Sequence, residues 1–396
     1  MDLLLRNIRP MGGAPADILI RAGRIAEIGP ALSAPGIAIE DGAGAIAIPG
    51  LVEAHTHLDK TVMGMGWYEN AVGADLRAMI DNERAARTTL GLDPHRQSMR
   101  HALALIGAGT THIRSHVDID TDHGLAMLRG VLATREALAG QVDIEIVAFP
   151  QSGLLSRPGT LELLDAAMRD GADLVGGLDP CGIDRDPKGH LDAIFALADR
   201  HGRGIDIHLH EAGDLGAFSL DLILERTRAL GMRGKVAVSH AFCLGMPDWP
   251  RTDAMLAALA DQDVAILTTG APSREVPQVK RLVAAGVRMG AGCDGVRDTW
   301  NPWNRPDMLD RARIVALRNN LRADADVELA LAVCSSGGAA VMGVQGYGLT
   351  PGCTADLTLL VGRTLAEAVA DGAPRPLTLK SGRVTARNGQ SLTKAP

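Results

Sequence analysis

The sequence predicts an α/β protein, a TIM-type (β/α)8 barrel with a small β-sandwich domain built from both termini. Two observations lead there. Eight apolar β-type runs alternate with amphipathic helical stretches through the middle, and both ends carry short alternating strands broken by Gly-containing turns. A chain of 396 residues exceeds one average domain, and a barrel with its helices plus a small accessory unit accounts for all of it. The 46 glycines and 46% hydrophobic residues suit such a fold, which needs a packed core and many tight turns.

From Asp17 to Ile48 the phrases DILIRAGRIAEIG and IAIEDGAGAIAI read as short strands. GLTPGCTADLTLLV and LTLKSGRVTARNG repeat that texture at the far end, so the two ends are expected to share a sheet. Residues 1–50 and 345–396 are therefore assigned to the β-sandwich and 51–344 to the barrel. The eight barrel runs lie around Leu51, Thr111, Ile144, Leu174, Ile205, Val236, Ala265 and Val287. Between them LELLDAAMR, HLDAIFALADR and DAMLAALAD place apolar residues at helical spacing, with charge on the other face.

The formal charge of -7, without any Lys/Arg run, argues against a nucleic-acid or acidic-membrane partner and for a small, neutral or weakly charged ligand. Five scattered cysteines with no CxxC pair point to a reducing cytoplasm. MDLLLRNIRP is too short an apolar stretch for a signal peptide, and no run of about 18 apolar residues is present to span a bilayer. The expectation is a cytoplasmic protein with no membrane partner.

Polar residues at the C-terminal ends of barrel strands converge on one mouth, where chemistry belongs. GLVEAHTHLDK ends the first strand, and His55 and His57, two apart, point to one side of an extended chain as metal ligands can. In GIDIHLHE of the fifth strand, His208 and His210 share a face. His210, nearer the mouth, is taken as the third imidazole ligand and His208 as a packed core histidine. His240 in VAVSHAF and Asp294 in MGAGCDGVRDTW tip the sixth and eighth strands. Three imidazoles and a carboxylate leave a divalent cation an open position for water, whose lowered pKa yields a hydroxide nucleophile. If His240 instead stays off the metal, it can hold or deprotonate that water, and Asp294 can then carry a proton to the leaving nitrogen.

HTHLDK, the strand-five histidine, SHAF and the strand-eight Asp together resemble the cytosine deaminase branch of the amidohydrolase superfamily, nearly end to end. IRSHVDID, VAFPQSGL, DLVGGLDP, VSHAFC and VRDTWNPW are most similar to the N-alkylammelide aminohydrolases within it. The resemblance implies a barrel, a composite β domain, a homo-oligomer and one Zn2+ or Fe2+. It implies His55, His57, His210 and Asp294 as ligands and His240 as the catalytic histidine. It also implies Gln151 on the substrate's ring edge, Trp300 lining the pocket with Trp303 close by, Lys60 approaching the substrate and Asp179 facing the mouth. The strand-four lysine that bridges two metals elsewhere is absent from DLVGGLDP, which favours one metal.

Two departures stand out. Bacterial cytosine deaminases carry a Glu three residues after the strand-five ligand; counted from His210, that place holds Gly213. Glu211 is expected to alternate away and Asp214 to cap the next helix. Gly295 stands where those enzymes carry a second Asp reading the substrate edge. The function expected is metal-dependent removal of an amino or alkylamino group from a small nitrogen heterocycle. The alternatives are a ring-opening cyclic amidase of hydantoinase type and a catalytically silent ligand-binding barrel.

Overall fold

The computed structural model describes residues 2–272 and 274–395. Eight parallel strands, Leu51–Thr56, Thr110–Asp118, Asp143–Phe149, Leu174–Leu178, Gly204–Leu209, Val236–His240, Ala265–Thr268 and Met289–Ala291, pair in sequence order. A parallel bridge between Thr56 and Asp294 brings the last against the first. Parallel strands covered by helices are buried on both faces, and the first two are buried at every residue. The last strand, expected around Val287, begins two residues later at Met289.

Asp-Pro steps start several barrel helices. Asp93 and Asp186 each precede a proline, and their side chains accept from backbone N–H groups of Arg96 and Gly189 in helices Pro94–Gly107 and Pro187–His201. The three helical phrases of the sequence fall in Thr160–Asp170, Pro187–His201 and Trp249–Asp261.

Strands from both ends make one nine-stranded sheet. Its seam is the antiparallel pairing of Ile46–Pro49 with Leu357–Leu360, and its core joins Leu5, Ile8, Ile18 and Ile20 to Leu357, Leu359, Leu377 and Leu379. The sheet docks at the N-terminal ends of the barrel strands. There Lys380 Nζ donates to Asp143 Oδ2 and Asp356 Oδ2, both at 2.7 Å. The C-terminal mouth is left uncovered by the sheet.

Asp324–Met342, with mean hydropathy 1.3, is apolar and long enough to cross a membrane by length and composition. It is split into helices Asp324–Val333 and Ser336–Met342, and the second lies against the first barrel strand. Gly338 permits that approach, since a β-carbon there would come within 2.9 Å of Val52 Cγ1. Gly338→Val should therefore destabilise the fold by about 1–3 kcal/mol through overpacking. Thermal unfolding would read this as a lower midpoint, and an unchanged midpoint would refute close helix-on-strand contact.

Candidate metal and substrate site

The first strand delivers two imidazoles whose outer nitrogens are fixed by their inner ones. Ser239 Oγ donates its only hydrogen to Asp206 Oδ1 (2.7 Å), so it can only accept from His55 Nδ1 at 2.8 Å. Asp206 is held in turn by the Arg114 guanidinium at 2.8 Å. His57 Nδ1 donates to the His116 carbonyl at 3.1 Å. Both rings therefore turn an Nε2 lone pair toward the mouth, an orientation that metal-binding histidines require of their outer partners. Burial first, and Lys60 second, push His57 down to about 4, which keeps it neutral.

These lone pairs face a carboxylate. Asp294 Oδ1 lies 3.3 Å from His57 Nε2 and 3.6 Å from His55 Nε2. His208 Nε2 stands 3.4 Å from His57 Nε2, its ring stacked on Phe149 at 4.0 Å. A tetrahedral cation with bonds of about 2.0–2.1 Å holds its ligand atoms roughly 3.4 Å apart, so these separations fit a divalent ion. His55 Nε2 is buried without a partner, as are both ring nitrogens of His240. Potential ligand atoms lie within 4.8 Å of one another in the groups His55–His57–Asp294 and His55–His208–His240.

His210, expected as the third ligand, is in neither group. The fifth strand ends at Leu209 and pairs His208 with Ser239, the residue that orients His55. His208 is thus level with His55 and His57, while His210 lies beyond the strand. Its Nδ1 bonds Asp179 Oδ2 at 2.7 Å, and its backbone N–H donates to Asp179 Oδ1 at 2.6 Å. Burial opposes charging His210, but the Asp179 carboxylate outweighs it and raises the pKa. Asp179, expected on the substrate, stands behind His210 as its anchor.

Counting from His208 also moves the apparently missing glutamate, because the third residue on is Glu211 rather than Gly213. Its carboxylate is turned aside: Oε1 accepts from Cys181 and Gly182 N–H at 2.9 and 2.7 Å, and Oε2 is bonded by Ser219. Asp214 lies in the first turn of helix Gly213–Ala229 and pairs with Arg251.

An inner pocket beside the imidazoles is lined by Lys60, Glu83, Phe149, Gln151, His210, Asp298 and Trp300, among others. Lys60 is buried, donating to Gln151 Oε1 at 2.6 Å and lying 3.3 Å from both Glu83 and Asp118. Burial opposes its charge, yet Asp118, Glu83 and Asp59 more than offset this and raise its pKa. Gln151 Nε2 donates to Glu83 Oε1 at 2.9 Å. Trp300 lines both this pocket and an outer chamber of about 320 Å³, which is walled by Leu76, Met79, Phe242, Pro272 and Trp303 and touches His240 and Asp294. A larger cavity of about 800 Å³ lies at the opposite end of the barrel, around Asp143 and Lys380.

The chain matches the amidohydrolase family over residues 38–386. It belongs to that family. The N-isopropylammelide isopropyl amidohydrolase of Pseudomonas sp. (strain ADP) is 30% identical to this amidohydrolase over 354 residues, 88% of each chain. A crystal structure of N-isopropylammelide isopropylaminohydrolase from Burkholderia multivorans ATCC 17616 superposes with a TM-score of 0.96 at 54% identity. It covers 99% of this chain and 100% of its own. The 5-methylcytosine deaminase from Klebsiella pneumoniae liganded with 5-fluorocytosine follows at TM-score 0.83 and 26% identity, covering 100% and 99%.

Glu83 and Asp298 were not singled out from the sequence. Glu83 sits in helix Leu76–Thr89 among ordinary charged residues, and no local signal marks it. For this amidohydrolase, Ser239→Ala should free the His55 ring and weaken metal affinity by roughly 10–100-fold, the usual cost of losing such a partner. Competition with a chelator measures this, and unchanged affinity would refute the orienting role of Ser239.

Proposed function

We propose that this amidohydrolase hydrolyses an exocyclic C–N bond, removing an alkylamino or amino group from a small nitrogen heterocycle. The carrying observation is the meeting of three imidazole Nε2 atoms and Asp294 beside a polar pocket that opens into an apolar chamber. The relatives named above, one acting on N-isopropylammelide and one a cytosine-type deaminase, support this class of substrate. The ring fits the inner pocket between Gln151, Lys60 and Trp300. An alkyl group on the leaving nitrogen would enter the outer chamber against Leu76, Met79 and Phe242, which favours alkylamine over ammonia.

His55, His57, His208 and Asp294 are proposed as ligands of one Zn2+ or Fe2+, since both ions accept such nitrogen and oxygen donors. When bound, the ion supplies Lewis acidity and lowers the pKa of water toward neutrality. His240 is buried and neutral, its pKa well below the ordinary value through burial and His210; neither ring nitrogen has a protein partner, so the one that bears the lone pair is free to take a proton. Water would add its oxygen to the ring carbon and give up one proton to His240, and as the exocyclic C–N bond breaks that proton would pass by way of Asp294 to the departing nitrogen, leaving a ring hydroxyl (or its keto form) and a free amine. His210, held by Asp179, faces the pocket as a hydrogen-bond donor to the substrate.

His208→Ala should lose the stoichiometric metal measured by elemental analysis, whereas His210→Ala should keep it; the reverse pattern would restore His210 as the ligand. Metal-loaded protein should release alkylamine from N-alkylammelides faster than ammonia from ammelide or cytosine. Ammonia from cytosine alone would shift the reading to deamination, and silence across the panel would overturn it.

A further inference from the structure

Two buried carboxylates on the wall of the inner pocket each keep one oxygen without a protein partner. Asp298 is 4% exposed, and its Oδ1 accepts from the backbone N–H groups of Trp300 (2.8 Å) and Asn301 (3.0 Å), closing a turn. Its Oδ2 has no hydrogen-bond partner among the described residues. That atom lies directly in the space a side chain at 295 would take, because Gly295 has none. Glu83 is 1% exposed; its Oε1 is shared by Lys60, Arg87 and Gln151, while its Oε2 is buried and unpartnered. Asp298, Glu83 and Gly295 all line the same pocket as His208 and His210.

Asp298 Oδ2 is not enclosed by protein but open to the pocket, and no donor among the described residues satisfies it. The cheapest remedy is a ligand that donates. The second hydrogen of Gln151 Nε2 supplies a donor on the same wall, so the pocket offers an acceptor and a donor together.

We propose that Asp298 is a specificity-determining residue whose Oδ2 accepts a ring N–H group of the bound heterocycle. The pocket thereby takes cyclic ureides and lactams, whose edges alternate N–H and C=O, over rings that present only bare nitrogen acceptors. This rests on the heterocycle reading above. A site built to pair a substrate N–H rejects the analogue without it by orders of magnitude, since its own polar groups are then left bare. Burial first, and Glu83 second, push the Asp298 carboxyl up to about 7, so an N–H donor also favours the ionised acceptor.

Asp298→Asn separates this from a purely structural role. An asparagine keeps Oδ1 for the Trp300 and Asn301 turn as well as aspartate does, but presents NH2 where Oδ2 stood. Calorimetric titration of the metal-loaded protein with cyanuric acid should show at least tenfold weaker binding for D298N, with unchanged melting midpoint and metal content. Equal binding by D298N and wild type overturns the proposal. Gly295→Ala is a second test that leaves the Asp298 side chain itself unaltered, because its methyl must displace Oδ2. A comparable loss supports the proposal and unaltered binding overturns it, whether or not D298N folds. A wild type that binds no ring and releases no amine would remove the underlying reading and this inference together. One that does either, with D298N its equal, removes the inference alone.

Discussion

The hydrogen bond from Asp294 N–H to the His55 carbonyl (2.9 Å) links barrel closure to chemistry. With Thr56 Oγ1 donating to the Asp294 carbonyl at 2.8 Å, it stitches the eighth strand to the first. The same two residues turn their side chains into the mouth, where their ligand atoms lie 3.6 Å apart. An eight-stranded barrel must register its last strand on its first, and here that register sets the distance between an imidazole and a carboxylate. Any slip in closure would disperse the candidate ligand set.

Asp294, His240 and Asp179 stand at φ 62°, 70° and 33°, in the left-handed region that side chains avoid. Each ends or follows a barrel strand, and each turns there toward the mouth. Such conformations cost of order 1–3 kcal/mol apiece and persist where surrounding bonds over-determine them. At Asp179 the anchors are the N–H groups of His210 and Glu211, and at Asp294 they are the closure bonds themselves.

Beneath the inner pocket, Lys60 and Arg87 pair with Glu83, Asp118 and Asp120 out of reach of solvent. Such a network adds little net stability, because desolvation cancels much of the attraction. Its contribution is geometric, since it clamps Gln151 and Glu83 on the pocket wall. Trp300 covers the same pocket from the loop after the eighth strand, packed on Ile80 and Phe149.

Periodicity and motif spacing alone determined the barrel, the shared terminal sheet and the meeting of His55, His57, His240 and Asp294 at one mouth. These follow from local rules: strands alternate side chains, and parallel strands present their C-terminal ends together. Which of His208 and His210 is level with His55 and His57 was decided only by tertiary structure. Both share a strand face, and the choice depends on the strand ending at Leu209 and on its register against Ser239. Glu211 likewise has the right spacing but is turned aside by the N–H groups of Cys181 and Gly182, 30 and 29 residues away. Gly295 reads in sequence as a lost carboxylate, yet the loop folds Asp298 into the empty space, because a turn closed on Trp300 and Asn301 brings it there. Spacing along a strand fixes which way a side chain points; how far up the barrel it sits, and what a loop folds back beside it, depend on neighbours distant in the chain.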